Sequence, residues 1–234
     1  METGKNFEKL ETKIGYSFKD KLLLKQALTH SSYANEQKIR KNKDYERLEF
    51  LGDAVLELVT SEFLFNENSQ MPEGKLTKMR SSLVCEPSLA ACAREIDLGE
   101  YLLLGKGEEA TGGRFRESII SDVMEALIGA LYLDGGISCA REFIYRYVLK
   151  DYNNRILFYD SKTVLQEMIQ TKPNQILTYD LLEEKGPDHN KEFLVQALLN
   201  GRRIGYGVGK TKKAAEQQAA YEAIFVVRNM AEFQ

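Results

Sequence analysis

The sequence is poor in the residues that build zinc sites and disulfide frameworks. Its 234 residues include three cysteines and two histidines. Cys85, Cys92 and Cys139 form no Cys-x-x-Cys pair, and His30 lies far from His189 along the chain. This distribution argues against a structural zinc site, and free thiols in apolar or helical surroundings suit a reducing cytoplasm.

The chain also lacks an excess of charge of either sign and long uninterrupted apolar runs. Its formal net charge is −3 at pH 7, so any affinity for nucleic acid must come from local patches. No apolar run approaches the roughly 18 residues of a membrane span, and the N-terminus METGKNFEKLETK has no apolar signal segment. We therefore expect a soluble cytoplasmic protein with no membrane partner.

The first part of the chain lacks the alternating β-branched pattern of strands, and its periodicity is helical. Prolines, a glycine-rich segment at 105–113 and Gly135-Gly136 separate the predicted helices. These helices lie near 6–14, 20–32, 36–67, 73–84, 86–96, 115–133 and 137–149. We therefore predict an all-α first domain over residues 1–152.

The periodicity changes after a segment of mixed polar and aromatic residues, which we predict to be a linker over 153–160 that docks partly on one domain. Beyond it, a second domain over 161–234 has the order α-β-β-β-α. The predicted elements are a helix at 161–170, strands at 175–184, 191–199 and 202–208, and a helix at 211–227 with Thr211 as its N-cap. The fold class is therefore multi-domain, an all-α domain followed by an α+β domain.

Two helices of the first domain carry carboxylates within apolar stretches. Glu46, Glu49 and Asp53 share one face of the helix in ERLEFLGDAVL, beside the apolar Phe50, Leu51, Ala54, Val55 and Leu56. Clustered carboxylates beside apolar surface repel one another and lose solvation, so they stay ionised only beside a cation. Oxygen ligands favour a hard divalent ion such as Mg²⁺ or Mn²⁺.

The second acidic pair is Asp122 and Glu125, with Gly129 one turn further along the same helical face. The glycine would let another helix approach closely. If the two helices pack together, Glu49, Asp53, Asp122 and Glu125 form one metal site. The alternative, surface carboxylates paired with arginine or lysine, would be preferred for a single pair, but two such pairs favour the metal site.

The segment ERLEFLGDAVL resembles the signature helix of bacterial ribonuclease III. Residues 13–36, 104–136 and 160–226 are similar to that family's first helices, second catalytic segment and C-terminal double-stranded-RNA-binding domain. The matches follow the family's order and cover nearly the whole chain. The resemblance implies an Mg²⁺-dependent endoribonuclease, with Mn²⁺ as a substitute, that cuts double-stranded RNA. It further implies 5′-phosphate and 3′-hydroxyl ends, short 3′ overhangs, and the processing of ribosomal RNA precursors and other structured transcripts.

The resemblance also assigns residues in the first domain. It makes Glu49, Asp53, Asp122 and Glu125 catalytic metal ligands. It makes Glu46 a further acidic residue of the catalytic site, which binds water of the metal shell or contacts RNA, although Glu46 also suits a surface salt bridge. Glu73 matches an acidic position near the site but equally suits the first turn of a helix, and Glu57 has no metal role in the family. Family members are homodimers through this domain, with an aromatic ring at the position of Phe50 in the interface. The alternative for Phe50 is an ordinary core aromatic.

Three segments of the second domain match the way proteins contact an A-form duplex. Thr163, Gln166 and Glu167 offer polar groups to one minor groove, and His189 offers its ring to the next. Lys210, Lys212 and Lys213 place positive charge at a helix start, where it opposes the helix dipole and so favours an anionic partner. Plain solvated surface is the alternative for each segment.

A glycine-rich loop of the first domain is a further candidate for contact with RNA. The loop 105–116 supplies Lys106, Arg114 and Arg116, which suit either a phosphate contact or a flexible solvated loop.

The alternative functions are a catalytically silent protein that binds RNA duplexes and a helical scaffold dimer. The scaffold leaves the acidic face unexplained, and a silent protein has no need of four matched carboxylates.

Overall fold

The computed structural model describes residues 7–39, 43–187 and 191–230. The chain divides into two compact units, Met1–Tyr152 and Asn153–Gln234, each with its own internal packing.

The first unit is helical, as its periodicity predicted. Short 3₁₀ turns at Leu98–Tyr101 and Gly113–Phe115 interrupt the α-helices. The described helices are α1 (Phe7–Ile14), α2 (Lys21–Ala27), α3 (Ser31–Glu36), α4 (Glu46–Glu67), α5 (Glu73–Val84), α6 (Glu86–Glu95), α7 (Lys106–Ala110) and α8 (Glu117–Tyr147). The long helices α4 and α8 pack along each other and form the centre of the unit, with α6 and α2 also against α8.

The predicted helices at 20–32 and 36–67 are wrong in their bounds. The chain leaves the helix after Ala27 because Leu103 N–H donates to Leu28 O, and His30 N–H donates to Leu103 O at 3.0 Å. His30 Nδ1 then accepts the Ser32 N–H and starts α3, which ends at Glu36. The next helix, α4, begins only at Glu46. The residues between α3 and α4 have no clear helical period, so the sequence pattern does not show where the two helices end and begin.

Two predicted irregular regions differ in outcome. Gly136 takes φ 79° and ψ 180°, which is not a helical conformation, so the expected break at Gly135-Gly136 is present as a kink inside the span of α8. A side chain would strain this backbone, since only glycine adopts such a conformation readily. The segment 105–113, predicted as a loop, contains the short helix α7.

The helices α4 and α8 meet at a crossing built from two glycines, Gly52 and Gly129. A Cβ atom on Gly52 would overlap the backbone carbonyl of Glu125, and one on Gly129 would overlap that of Leu48 and lie 3.1 Å from Gly52 N. The expected role of Gly129 in close helix approach is therefore confirmed. Because Glu49 and Asp53 flank Gly52, and Glu125 precedes Gly129 by one turn, the crossing brings the two acidic segments together.

The helix α8 is also, among the described residues, the one long and apolar enough to cross a membrane by length and composition. Its most apolar window has a mean hydropathy of 1.3, and half of that window is buried. Residues such as Met124, Leu127 and Ile128 are fully buried inside the unit. These are the properties of a core helix.

The second unit has the predicted α-β-β-β-α order, preceded by an additional helix. The segment predicted as a linker forms the helix α9 (Tyr152–Tyr159), whose Leu157 and Phe158 pack on this unit. The remaining elements are α10 (Ser161–Gln170), β1 (Leu177–Lys185), β2 (Glu192–Leu199), β3 (Arg202–Gly209) and α11 (Lys212–Arg228). The strands form an antiparallel sheet in the order β1-β2-β3, with Asn200 and Gly201 at positive φ in the β2–β3 turn.

One face of this sheet packs against α10 and α11. Val195, Ala197 and Leu199 of β2 face the helices, together with Leu165 of α10 and Ile224 of α11. The glycines of β3 allow α11 to lie very close, since a Cβ on Gly207 would overlap the backbone of α11 at Ala215. This packing presents the exposed side of α10 and the start of α11 to the solvent.

We predict that Gly129→Ala destabilises the first unit, because the added methyl group has no space at the α4–α8 crossing. Overpacking of this kind costs about 1–3 kcal/mol. The measurement is the midpoint of thermal unfolding. Gly74→Ala is the control, since a Cβ at Gly74 in α5 meets nothing within 4 Å. Equal stability of the Gly129→Ala protein and wild type would contradict a tight crossing.

Candidate metal centre and nucleic-acid interface

The helix α4 presents three faces with different chemistry. Its buried face, with Leu48, Val55, Leu56 and Val59, packs into the core. At about 100° per residue, Glu46, Glu49 and Asp53 lie together on one flank. Phe50 and Ala54 lie on a further, exposed face and do not cover the carboxylates, so the apolar surroundings expected from these two residues are absent. The cover comes instead from the core beneath α4 and from α8.

The structure brings the predicted acidic residues of α4 and α8 into one electrostatic cluster. Burial, followed by the charges of Asp53, Glu49 and Asp122, raises the pKa of Glu125 to about 8. Burial, followed by the charges of Asp122, Glu46 and Asp53, raises the pKa of Glu49 to about 7. The pKa of Asp122 is raised by burial first and then by the charge of Glu86. Each carboxylate is therefore half-buried or lies beside others of the same charge.

This donor set fits a hard divalent cation. All of its side-chain donors are carboxylate oxygens, the ligands that Mg²⁺ and Mn²⁺ prefer. Within the described part of the chain, no three acidic, histidine or cysteine side chains already form a compact metal-binding group. Side-chain rotations would be needed to close the four carboxylates around an ion.

A residue that the sequence analysis did not identify, Tyr45, lies directly beside this cluster. Tyr45 is buried, and its hydroxyl lies 3.5 Å from Asp122 Oδ2. Burial, together with the charges of Asp122, Glu49 and Glu46, raises the pKa of this phenol above its usual range, so it stays protonated. A tyrosine just before a helix gives no periodic signal, so only the fold reveals its position.

Two other acidic residues of the sequence analysis have ordinary structural contacts. Glu57 Oε2 lies 3.4 Å from Arg80 Nη1, which agrees with the structural role expected of it. Glu73, at the start of α5, accepts a hydrogen bond from the Thr77 hydroxyl at 2.8 Å and lines a groove between α4 and α5. In the single chain, Glu73 is thus part of that groove.

The third face of α4 is an exposed apolar stripe. Phe50, Leu58 and Phe65 are 80%, 62% and 71% exposed, and they lie within about 80° of one another around the helix. Beside the stripe, α4 and α5 enclose a groove of ≈ 590 Å³ lined by Leu58, Phe65 and Leu76. Exposed large apolar side chains in one row are typical of an interaction surface.

The two arginines of the 105–116 segment have partners within the fold, whereas Lys106 is exposed. Arg114 donates to the backbone carbonyls of Gly99 and Leu102 and pairs with Glu109. Arg116 pairs with Glu108 at 2.5 Å and donates to the Thr111 hydroxyl. The expectation that Arg114 offers free charge to a phosphate is therefore wrong, because Arg114 fastens this segment in place. The Arg116 side chain is 45% exposed in its ion pair, so a phosphate contact there stays a prediction.

The second unit exposes most of the residues predicted to contact RNA. Thr163, Gln166 and Glu167 lie on the exposed side of α10. His189 lies outside the described residues.

The basic segment at the start of α11 is exposed. Lys210 Nζ lies 3.0 Å from Glu192 Oε1 in an exposed pair, and Lys212 Nζ lies 5.9 Å from the centre of the Phe193 ring. Lys213 is exposed. The Thr211 hydroxyl accepts the Ala214 N–H and so confirms the predicted N-cap. Exposed ion pairs contribute little stability and open readily for another anion.

Comparisons with known proteins agree with both units. Residues 20–152 match the Ribonuclease-III-like family model, and residues 161–225 match the double-stranded RNA binding motif. Ribonuclease 3 of Caldanaerobacter subterraneus subsp. tengcongensis is 51% identical over 92% of this chain and 95% of its own length. Ribonuclease 3 of Geobacillus kaustophilus is 50% identical over 95% of this chain and 91% of its own length.

A solved structure gives the same result for the fold of the first unit. The nuclease domain of ribonuclease III from Campylobacter jejuni, described as flexible in a region involved in dimer formation, is 44% identical with a TM-score of 0.58. The match covers 63% of this chain and 99% of that domain. With a helical nuclease unit and a double-stranded-RNA-binding unit in this order, the chain belongs to the ribonuclease III family of double-stranded-RNA endoribonucleases.

Proposed function

We propose that this chain hydrolyses RNA duplexes with the help of a divalent cation, Mg²⁺ with Mn²⁺ as a substitute, held by Glu49, Asp53, Asp122 and Glu125. The observation that carries the proposal is the cluster of mutually repelling carboxylates at the α4–α8 crossing, where the pKa values of Glu49 and Glu125 rise to about 7 and about 8. Such a cluster is costly without a cation and is stabilised by one.

The bound cation would activate an attacking water molecule and stabilise the leaving 3′ oxygen. The protein residues determine where the cation is held. Glu49 and Asp53 approach from α4, and Asp122 and Glu125 approach from α8, so the two helices define the position of the ion. Glu46, one turn before Glu49 on the same flank, is a further acid that suits a water molecule of the ion's shell. The products would carry 5′-phosphate and 3′-hydroxyl ends.

We propose that the chain works as a homodimer through the exposed stripe of α4, with Phe50 as its anchor. A phenyl ring that is 80% exposed in the single chain loses water contact when a second copy covers it. The related Campylobacter nuclease domain is described as having a dimer-forming region. A two-fold axis would then relate two metal centres, each cutting one strand, and their offset would leave short 3′ overhangs.

The second unit would supply the affinity for the duplex. The exposed polar groups Thr163, Gln166 and Glu167 of α10 suit the 2′-hydroxyls of one minor groove, and His189 is assigned to the next groove on the resemblance. Lys210, Lys212 and Lys213 would contact the intervening phosphates at the start of α11. A-form duplexes are recognised mainly by shape, so this unit accepts many sequences.

The cellular role that we propose is processing of ribosomal RNA precursors and of structured messenger and transfer RNA transcripts in the cytoplasm. Cys85, Cys92 and Cys139 are free thiols, which suits a reducing compartment. The most apolar helix is part of the core, and this supports a protein without a membrane partner. A catalytically silent duplex-binding protein remains the alternative function, and the acidic cluster argues against it.

The direct test is Glu125→Gln or Asp53→Asn, which keeps the shape of each side chain and removes one ligand charge. We expect both variants to lose cleavage of a plain RNA duplex and to keep duplex binding. Cleavage and gel-shift assays on the same preparation measure the two properties. Glu142→Gln, an exposed α8 carboxylate paired with Arg146, is the control that should cut normally. Wild-type cleavage by Glu125→Gln at low Mg²⁺ would refute the metal site.

The raised pKa values predict a pH-dependent stability of the metal-free protein. Glu49 and Glu125 bind protons more tightly in the folded than in the unfolded protein. Their contribution to the free energy of unfolding is therefore full below the ordinary pKa of 4.5 and is lost as the pH rises through about 7 to 8. In EDTA, Glu125→Gln should therefore exceed wild type in Tm by a margin that grows from about pH 5 to about pH 9.

Differential scanning fluorimetry across this pH range measures the margin. Mg²⁺ should stabilise wild type more than Glu125→Gln at the high end of the range. Glu142→Gln, the control on the same helix, should show no such growth. A margin that stays flat as the pH rises would mean that Glu125 is well solvated in the metal-free fold, and a margin that shrinks would mean that the fold stabilises its charge.

Phe50→Ala should weaken the dimer by at least about 2 kcal/mol, since an aromatic anchor in an interface is costly to truncate. Sedimentation equilibrium gives the dissociation constant. Phe115→Ala removes an equally exposed ring, 79% exposed but outside the α4 stripe, and should leave the dimer unchanged. Equal dissociation constants for Phe50→Ala and wild type would place the interface elsewhere.

A variant that combines Lys210→Ala, Lys212→Ala and Lys213→Ala should have a flatter slope of log duplex affinity against log salt concentration. The reason is that it loses up to about three phosphate contacts and so releases fewer counterions. A matched control changes Lys172, Arg202 and Arg203 to alanine. Arg202 and Arg203 are exposed residues of β3 beside the β2–β3 turn, at the opposite end of that strand from the start of α11. Binding across a salt series with an unaltered slope in the lysine variant would show that the RNA crosses this unit elsewhere.

A chain ending near Asp151 separates affinity from chemistry. It retains all four proposed metal ligands and lacks the α11 lysines. We expect it to cleave duplex RNA at low salt and to fail as the salt concentration rises, because the remaining contacts release too few counterions. Cleavage rates of the truncated and full chains across the same salt series provide the measurement. A truncated chain that is inactive at low salt although folded would assign part of the chemistry to the second unit.

A further inference from the structure

The backbone of Tyr45 is held on both sides by hydrogen bonds, directly before the first residue of α4. Tyr45 is 5% exposed, and its backbone N–H donates to Thr29 O at 2.9 Å. Its backbone carbonyl accepts from the N–H groups of Leu48 and Glu49 at 2.8 and 2.9 Å, which opens the helix. Backbone bonds on both sides therefore tie this residue to the α2–α3 corner and to the first acidic turn of α4.

The ring of Tyr45 is also confined. It packs against the ring of His30, with centroids 5.7 Å apart. His30 is itself held, because its N–H donates to Leu103 O and its Nδ1 accepts the Ser32 N–H at 3.1 Å. The Tyr45 hydroxyl lies 3.5 Å from Asp122 Oδ2 and is placed to donate to it.

We propose that Tyr45 is a positioning residue for Asp122, with its hydroxyl donating to Oδ2 so that Oδ1 is left to bind the cation. The inference rests on the proposed metal-binding role of Asp122. A carboxylate on a helix surface can rotate among several orientations, and a rigid hydrogen-bond donor selects one of them. Partners of this kind orient metal ligands and commonly change metal affinity when they are removed.

A second tyrosine–aspartate pair in the same unit shows what a purely structural contact looks like. The Tyr16 hydroxyl donates to Asp134 Oδ2 at 2.7 Å. The backbone N–H groups of Lys19 and Asp20 donate to the two oxygens of Asp134 at 2.8 Å. Asp134 therefore fastens a loop to α8, and both of its oxygens are occupied. Tyr16→Phe is thus a chemically matched control for Tyr45→Phe.

The experiment measures Mn²⁺ binding to the full-length protein without RNA, by the electron paramagnetic resonance signal of free Mn²⁺. Tyr45→Phe removes one oxygen atom and keeps the buried ring. We expect its Mn²⁺ dissociation constant to rise about 10-fold, while Tyr16→Phe binds like wild type. Cleavage by Tyr45→Phe should need more Mg²⁺ and return to near the wild-type rate at saturation.

A double-mutant cycle with Asp122→Asn tests whether the effect passes through Asp122. In the Asp122→Asn background, Tyr45→Phe should have little further effect on Mn²⁺ affinity. An unchanged dissociation constant in Tyr45→Phe would overturn the positioning role while leaving the metal centre intact. Additive effects in the cycle, or equal losses in Tyr16→Phe, would also overturn it. A wild-type protein that binds no Mn²⁺ would refute the metal centre itself and the positioning role with it.

Discussion

The close crossing of α4 and α8 at Gly52 and Gly129 is the constraint on which the rest of the first unit depends. With no Cβ atom on either glycine, the backbones approach until each helix lies against the carbonyl groups of the other. This approach decides where the acidic turns meet, because Glu49 and Asp53 flank one glycine and Glu125 precedes the other by one turn. A wider crossing would leave the same carboxylates on two separate, well-solvated helix surfaces. The mutual repulsion of the carboxylates in the proposed metal centre is therefore a consequence of backbone packing.

The packing of α4 on α8 and the repulsion between the carboxylates have opposite effects on the stability of the metal-free protein. Burying the α4–α8 contact stabilises the unit, whereas the same contact raises the pKa values of Glu49, Asp122 and Glu125. A cation of the proposed kind would reverse the sign of the second effect without altering the first. The helices can hold the carboxylates in an unfavourable arrangement because the core residues around them, such as Met124, Leu127 and Leu56, are fully buried.

Much of this arrangement was predictable from the sequence. Helical spacing placed Glu49 and Asp53 on one face, and Gly129 indicated a close helix contact, because both features are local and periodic. The helix boundary after Ala27 was not predictable, since it depends on hydrogen bonds with Leu103, distant in the chain. Tyr45 could not be identified for the same reason. The charges of Arg114 and Arg116 were visible in the sequence, but the carbonyl and carboxylate groups that engage them are brought near only by the fold. Sequence patterns thus identified the acidic residues of the proposed metal centre but not the contacts around them.

The arrangement of α4 explains why one helix can serve both chemistry and assembly. Its buried face fixes its position, its acidic flank faces the proposed cation, and its exposed stripe begins with Phe50, the residue directly after Glu49. The proposed homodimer contact and the proposed metal ligand therefore share one helical turn.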